Sequence, residues 1–264
     1  MEIKRRKNIL VTGGAGFIGS HVNKMLCRRG YDTIVLDNLS RGQRSAVCYG
    51  TFLEGDLGDI SLLRNIFETV KIDAVMHFAA YIDVAESVRD PAKYYQNNVS
   101  KTLNLLTAMR EAQVNRCIFS SSAAVYGNPQ GGAIPEDHPC LPINPYGETK
   151  WMIEKILRDF DRAYGFKSCS LRYFNAAGGD PEGEIKNEQE QITHLIPRIL
   201  HTLKKEEGFV TIYGTDYPTF DGTCIRDYIH LEDLGMAHIA AMEKLLSGAP
   251  SSYYNLGNGK GFSV

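Results

Sequence analysis

"ILVTGGAGFIGSH", Ile9 to His21, is the stretch whose reading decides the fold. A short β-branched run, residues 9–11, leads directly into Gly13, Gly16 and Gly19. Phe17, Ile18, Val22, Met25 and Leu26 then recur at spacings that place them on one helical face. The text is a strand, a glycine turn and a helix. One glycine at such a turn tolerates unusual φ, a second lets backbone approach a diphosphate closely, and a third allows tight helix packing. The helix N-terminus favours negative charge. A tight turn that binds nothing would also contain glycines, but strand, turn and helix coincide here in the order a dinucleotide fold requires.

Further apolar runs recur outward from this unit at residues 33–36, 51–53, 74–78, 117–120 and 168–172, with helical patterns filling most of the intervals. Strands alternating with helices predict an α/β protein built on a doubly wound parallel sheet, a Rossmann domain over residues 1–176. Past Asn175 the text changes. Residues 178–191 are rich in Gly, Asp, Glu and Asn and lack apolar periodicity, which marks a boundary or long loop. A helix is expected over 193–203, a strand over 210–213, a strand near 228–229 and a helix over 232–246. These form a smaller α/β substrate domain, 177–264, with parts of 226–246 packing back on the first domain.

With 264 residues, 43% hydrophobic and a formal charge of -2, the chain has no surface suited to nucleic acid and no membrane span. The basic cluster Lys4 to Lys7 precedes too short an apolar run for a signal peptide. Six scattered cysteines without a C-x-x-C pair, and seven histidines without H-E-x-x-H, point to a reduced, cytoplasmic protein without a metal.

Asp37 ends the second predicted strand, eighteen residues after Gly19. A carboxylate there can accept both hydroxyls of an adenosine ribose and repel a 2′-phosphate, favouring NAD over NADP, with Arg41 and Arg44 slightly opposing. Its other reading is an Asx-turn. Asp56, after the third strand, is placed to accept from adenine, or is an ordinary loop acid. In "NPYGETKWMIEKIL", Tyr146 and Lys150 share a helix face at i, i+4, as a solvated Tyr and Lys would too. Ser122 ends the fifth strand at the carboxyl edge where ligands sit in such sheets, although a serine there is commonly only a cap. Making a tyrosine of pKa about 10 useful near neutrality takes about 4 kcal/mol. A lysine about 5 Å away and an oxidised nicotinamide together cover that.

The chain resembles the extended short-chain dehydrogenase/reductase family, toward which the G-x-x-G-x-x-G spacing also points, and within it the UDP-glucose (UDP-galactose) 4-epimerases. The carrying text is "VTGGAGFIGSH", "VLDNLSRG", "EGDL", "MHFAAYIDVAESV", "YYQNNV", "FSSSAAVYG", "NPYGETK", "LRYFNAAG", "THLIP", "YGTDYPTFDGTCIRDYIH" and "YNLGNG". The resemblance implies that NAD accepts hydride from sugar C4 while Tyr146 takes the O4 proton. A 4-keto sugar then turns and takes the hydride back on its other face. Lys150 would bind the nicotinamide ribose and Ser122 would assist at O4. Gly13, Gly16, Phe17, Ile18 and Gly19 would flank the pyrophosphate, and Asp37, Asn38, Leu39, Ser40, Arg41 and Gly42 the adenosine ribose. Asp56 and Leu57 would meet adenine. Phe78, Ala79, Ala80, Tyr81 and Asn98 would follow along the cofactor, with Tyr173 and Phe174 near the nicotinamide. Ser122, Tyr146, Asn175, Thr193, His194, Leu195, Tyr213 and Arg226 would hold the UDP-sugar, and the family implies a homodimer pairing the helices near 92–112 and 146–164.

Two departures qualify the resemblance. Ala124 replaces a hydroxyl residue of many epimerases, and the acidic pair that related dehydratases place beside the serine is missing, so elimination has no evident acid and base. The family normally continues for several dozen residues beyond Val264, so a C-terminally truncated substrate domain with an incomplete pocket is expected. The alternatives are another NAD-dependent UDP-sugar enzyme, such as a uronate or pentose 4-epimerase or a decarboxylase, and an NAD-binding protein without turnover.

Overall fold

In the computed structural model, which describes residues 5–129, 132–186, 195–205 and 208–264, all six apolar runs become strands. They are β1 (Asn8–Thr12), β2 (Asp32–Asp37), β3 (Thr51–Glu54), β4 (Ala74–His77), β5 (Arg116–Ser120) and β6 (Lys167–Tyr173). Side chains on a strand alternate between faces, so a sheet covered on both sides needs apolar residues in unbroken runs. Ile9, Val11, Met76, Ile118 and Leu171 enter one core with Val22 and Leu26 of α1 (Phe17–Arg28). Leu10, Val75 and Phe119 enter the other. There they meet α2 (Ile60–Thr69), α5 (Lys101–Glu111) and α6 (Pro145–Tyr164).

With a further strand, β9 (Ser252–Leu256), the sheet has seven strands in the order β3-β2-β1-β4-β5-β6-β9, all pairs parallel. Strand order reverses between β1 and β4, and ligands of such sheets bind outside the carboxyl ends at that point. Between β4 and β5 lie α3 (Val84–Arg89), α4 (Pro91–Tyr94), a π-turn over Tyr95–Ser100, and α5.

The later part differs from expectation in two of its strands. A seventh strand, β9 (Ser252–Leu256), pairs with β6 and belongs to the main sheet. The helix α8 (Leu231–Leu246) places Ile239, Met242 and Leu245 in the core under α1. The expected strand over 210–213 is absent: the segment is irregular and Tyr213 is 71% exposed. Its Val, Ile and Tyr have β propensity but no described strand beside them to complete a ladder. The helix expected over 193–203 is α7 (Leu195–Lys205). A separate three-stranded sheet joins β7 (Asn175–Ala177), β8 (Ile225–His230) and β10 (Gly261–Ser263).

The described part of the acid-rich stretch after β7 is tied to α1. Lys24 of α1, its side chain 6% exposed, meets Asp180 at 2.7 Å, Glu182 at 2.6 Å and Glu184 at 2.9 Å. Asp180 also accepts from the backbone of Glu184 and Ile185. Burial pushes the Asp180 carboxyl up, but Lys24 and the backbone donors outweigh it and hold it at about 2. Breaking a buried pair strands its partner's charge, so Lys24→Met should cost about 3 kcal/mol in urea unfolding at neutral pH. The sign in acid follows from the depressed carboxyl. The stabilisation is complete above an unfolded value of about 3.9 and disappears as pH falls through about 2. Lys24→Met should flatten that acid limb, and an unchanged limb would show that the pair contributes nothing.

Candidate active site

Asn144 caps α6 by accepting from the Gly147 N–H at 2.8 Å, and Pro145 supplies a preset φ at the first helical position. These two residues fix where Tyr146 sits. Its side chain is buried, 7% exposed, and Lys150 one turn later is 2% exposed. Lys150 Nζ donates to the Ser120 carbonyl at 2.7 Å and lies 4.9 Å from the Phe119 ring centroid and 5.9 Å from that of Tyr146. Ser122 interacts with the Tyr146 hydroxyl and accepts from the Ala124 N–H at 3.1 Å. It is therefore both a cap, as its plainer reading held, and a neighbour of the tyrosine. The Ser120 and Tyr173 hydroxyls are 2.6 Å apart. Four hydroxyls and one amine converge at the carboxyl ends of β5 and β6.

Burial pushes the Tyr146 hydroxyl above its ordinary range, and Ser122 pulls it back. The same burial lowers Lys150 to about 7, with Glu154 acting in the opposite direction. The protein's own side chains thus leave the tyrosine protonated near neutrality, because burial disfavours the phenolate and Lys150 is committed to a carbonyl. Positive charge from a bound oxidised nicotinamide favours the phenolate.

A chain of hydrogen bonds reaches Tyr146 from β1. Thr12 Oγ1 lies 2.7 Å from His77 Nδ1, and His77 Nε2 lies 2.8 Å from Thr102 Oγ1. Thr102 donates to the Asn98 carbonyl, so it accepts from His77, which carries its proton on Nε2. Burial holds His77 at about 3 and therefore neutral near pH 7. Asn98, presented by the π-turn, accepts from Tyr81 N–H, donates to the Tyr81 carbonyl and donates to Thr149 at 3.1 Å. Thr149 in turn donates to the Tyr146 carbonyl at 2.7 Å. None of His77, Thr102 or Thr149 was singled out from the sequence. The only local signal was a histidine ending an otherwise apolar run, a buried polar group that needs partners.

A groove runs beside this cluster, lined by Gly13, Gly16, Asp37, Asn38, Ser40, Arg41, Gly42, Asp56, Leu57, Phe78, Ala79, Ala80 and Tyr81. Its floor admits only glycine at two points. A Cβ on Gly13, whose φ is +73°, would lie 2.4 Å from the Ala79 nitrogen, and one on Gly19 would lie 2.3 Å from the Gly13 oxygen. The first turn of α1, which includes Phe17 and Ile18, begins at Gly16 with no side-chain cap, leaving an N-terminus suited to an anion. Asp37 accepts from the N–H groups of Ala15 and Leu39, each at 2.9 Å. The second bond is an Asx-turn, and Leu39 takes a φ of +57° within it. Asp56 accepts from Lys101 at 2.7 Å and Asn38 at 2.5 Å. These residues fit a dinucleotide: a close backbone approach, an open helix N-terminus and a buried acid after β2.

The remaining positions are more dispersed. Phe174 follows Tyr173 directly, and Asn175 starts β7 and donates to the Asp227 carbonyl at 2.7 Å. Leu195 opens α7, Tyr213 is exposed, and Arg226 is exposed on β8. Among the described residues, none of these three meets Tyr146, Ser122 or Lys150 through a hydrogen bond or ring contact. Thr193 and His194 lie outside the described residues.

Residues 9–257 match the model of the NAD dependent epimerase/dehydratase family. The chain is 51% identical over 256 residues to UDP-glucose 4-epimerase of Halalkalibacterium halodurans, covering 97% of this chain and 77% of that protein. The Bacillus subtilis UDP-glucose 4-epimerase is 44% identical, with 97% and 78% covered. Among solved structures, UDP-glucose 4-epimerase from Brucella ovis in complex with NAD is 49% identical with a TM-score of 0.94, covering 97% of this chain and 79% of that one. The enzyme from Bifidobacterium longum in complex with NAD+ and UDP gives 38% and 0.91, with 97% and 80% covered.

Lys150 offers a direct test of the electrostatics. Its folded value of about 7 lies below an unfolded value of about 10.4. The folded state thus resists a proton that the unfolded chain accepts, a penalty complete below pH 7 and vanishing as pH rises toward 10. In nucleotide-stripped protein, Lys150→Met should raise unfolding stability by on the order of 3 kcal/mol at pH 6 and by little at pH 10. A loss of stability at both values would mean that Lys150 is not a desolvated cation.

Proposed function

The chain belongs to the NAD dependent epimerase/dehydratase family, and we propose that it interconverts UDP-glucose and UDP-galactose by reversible hydride transfer at sugar C4. The observation that carries this reading is the meeting of Tyr146, Ser122 and Lys150 at the sheet's carboxyl edge, beside a groove that fits a dinucleotide. Ala123 and Ala124 follow Ser122, where the related dehydratases would place an acidic pair for elimination.

NAD, when bound, supplies the hydride acceptor for C4 and the donor that returns hydride to the other face of the 4-keto sugar. Tyr146 takes the O4 proton in one half of the cycle and gives it back in the other. Ser122 hydrogen-bonds O4, and Lys150 orients the nicotinamide ribose. Asp37 receives the adenosine ribose hydroxyls, and Asp56, held by Lys101, lies at adenine. Asn98 holds the Tyr81 backbone along the cofactor, with Tyr173 and Phe174 near the nicotinamide. On the substrate side, Asn175, Leu195, Tyr213 and Arg226, with Thr193 and His194, receive the UDP-sugar. In this division residues 1–176 form the cofactor domain and 177–264 the substrate side, with α8 and β9 returned to the sheet.

General acid/base catalysis contributes about 10² to 10⁴ in rate. Tyr146→Phe should therefore slow conversion of UDP-galactose to UDP-glucose by that factor while still binding NAD; turnover at the parent rate would remove Tyr146 from the chemistry.

A homodimer and a cytoplasmic setting belong to the same reading. All six cysteines are unpaired thiols, and no described helix is long and apolar enough to cross a membrane. Tyr95, Leu103 and Tyr164 are exposed on the 91–111 and 145–164 helices, where a second copy would pack. Sedimentation should give twice the 29.4 kDa chain mass; a monomer at micromolar concentration would dismiss that pairing.

A further inference from the structure

Arg41 stands four residues after Asp37, in the loop that lines the adenosine end of the groove. An arginine so placed is the chemistry that ordinarily receives a 2′-phosphate. The structure gives this one another partner. Its Nη2 lies 2.9 and 3.1 Å from the two carboxylate oxygens of Glu86, which comes from α3. Glu86 also accepts from Lys93 Nζ at 2.6 Å and from the Tyr94 hydroxyl at 2.9 Å. The Arg41 guanidinium lies 5.7 Å, and Lys93 Nζ 4.6 Å, from the centroid of the Tyr81 ring. Two cations thus converge on one carboxylate and one aromatic face.

The rest of the rim is balanced in the same way. Lys101, the other cation lining the groove, is paired with Asp56 at 2.7 Å. Arg44 lies outside the lining; its Nη1 donates to the Val47 carbonyl and its guanidinium lies 4.5 Å from the Phe52 centroid. Asp37 is satisfied by backbone N–H groups and forms no ion pair among the described residues. The groove's adenosine end therefore presents one carboxylate without an ion-pair partner, Asp37, and no uncommitted described cation.

We propose that Glu86 is a second determinant of dinucleotide choice. By holding Arg41 against α3, it withholds the cation that a 2′-phosphate needs, so NADP is refused by Asp37's charge and by Arg41's engagement together. The proposal rests on this groove being the dinucleotide site, and NAD titration of the parent protein tests that premise separately.

The experiment measures NAD and NADP dissociation constants for the parent protein, Glu86→Gln, Asp37→Ser, and the double and triple variants. A freed guanidinium bonding a phosphate contributes enough to change affinity about tenfold. Adding Glu86→Gln to Asp37→Ser should move the NADP-to-NAD preference by that factor, and adding Arg41→Met should cancel the gain. A ratio unchanged by Glu86→Gln overturns the proposal, as does a gain that survives Arg41→Met or an equal weakening of both nucleotides. Should the glutamine variants fail to fold, Asp37→Ser with Arg41→Met still decides. A withheld Arg41 leaves the ratio near that of Asp37→Ser, whereas a tenfold loss of NADP shows that Arg41 already reaches the phosphate.

Discussion

The buried pair of Glu154 and Arg172 is the constraint on which the site's geometry rests. Their side chains are 6% and 3% exposed and 2.6 Å apart. Such a pair persists only if every remaining donor and lone pair is occupied, because desolvation can exceed the attraction. Here the occupation is thorough. Arg172 reaches both Glu154 oxygens, the Tyr126 hydroxyl and the Glu136 carbonyl, and Ser121 donates to Glu154 at 2.5 Å. Tyr126 passes the network to Asn255 of β9. One ion pair thereby ties the ends of β5 and β6, the turn after Ser122, helix α6 and the seventh strand. Lys150 is one helical turn before Glu154, and Ser122 is one residue after Ser121. Neither can shift without disturbing that network.

The second constraint comes from the other side, and it is uncharged. Neutral His77 and the sequence Thr102, Asn98, Thr149 carry directed hydrogen bonds from β1 to the Tyr146 carbonyl. Because each hydroxyl donates onward, each must accept from the group before it, which fixes the polarity of the whole chain. The π-turn over Tyr95–Ser100 matters because it presents Asn98 to both the Tyr81 backbone and α6. A widened helical turn at such a position is a common device of functional sites.

Much of this was legible in the sequence, and the rest was hidden for identifiable reasons. The six buried strands announced themselves because parallel strands covered on both faces must be continuously apolar. The glycine turn was legible because at Gly13 and Gly19 only glycine permits the approach. Strand β9 was missed because Tyr253 and Tyr254 are half exposed and give no alternation, and β7 and β10 are three residues each. The 210–213 segment was misread for the converse reason: propensity was present without a described partner strand. Glu154 and Arg172 did leave a signal. An arginine inside an apolar strand such as "SLRYF" implies a buried acid, but locating that acid at position 154 requires knowing that α6 crosses behind β6.

Under the proposed function Tyr146 would serve a reversible reaction, and the two constraints bear on how it would do so. A dehydrogenase needs a base in one direction, whereas an epimerase needs the same group to be base and then acid within one cycle, so both protonation states of the phenol must be reachable. Burial raises Tyr146 and Ser122 lowers it. Lys150, brought to about 7 by the same burial and held on a carbonyl, adds a charge that is neither freely solvated nor firmly fixed. A rigid frame makes that balance possible. In a mobile site, water would solvate the phenolate and the lysine separately, and the opposing pushes would no longer act on one atom. The ion pair under α6 and the neutral chain beside it would therefore bear on the energetics as well as the geometry of the proposed proton transfer.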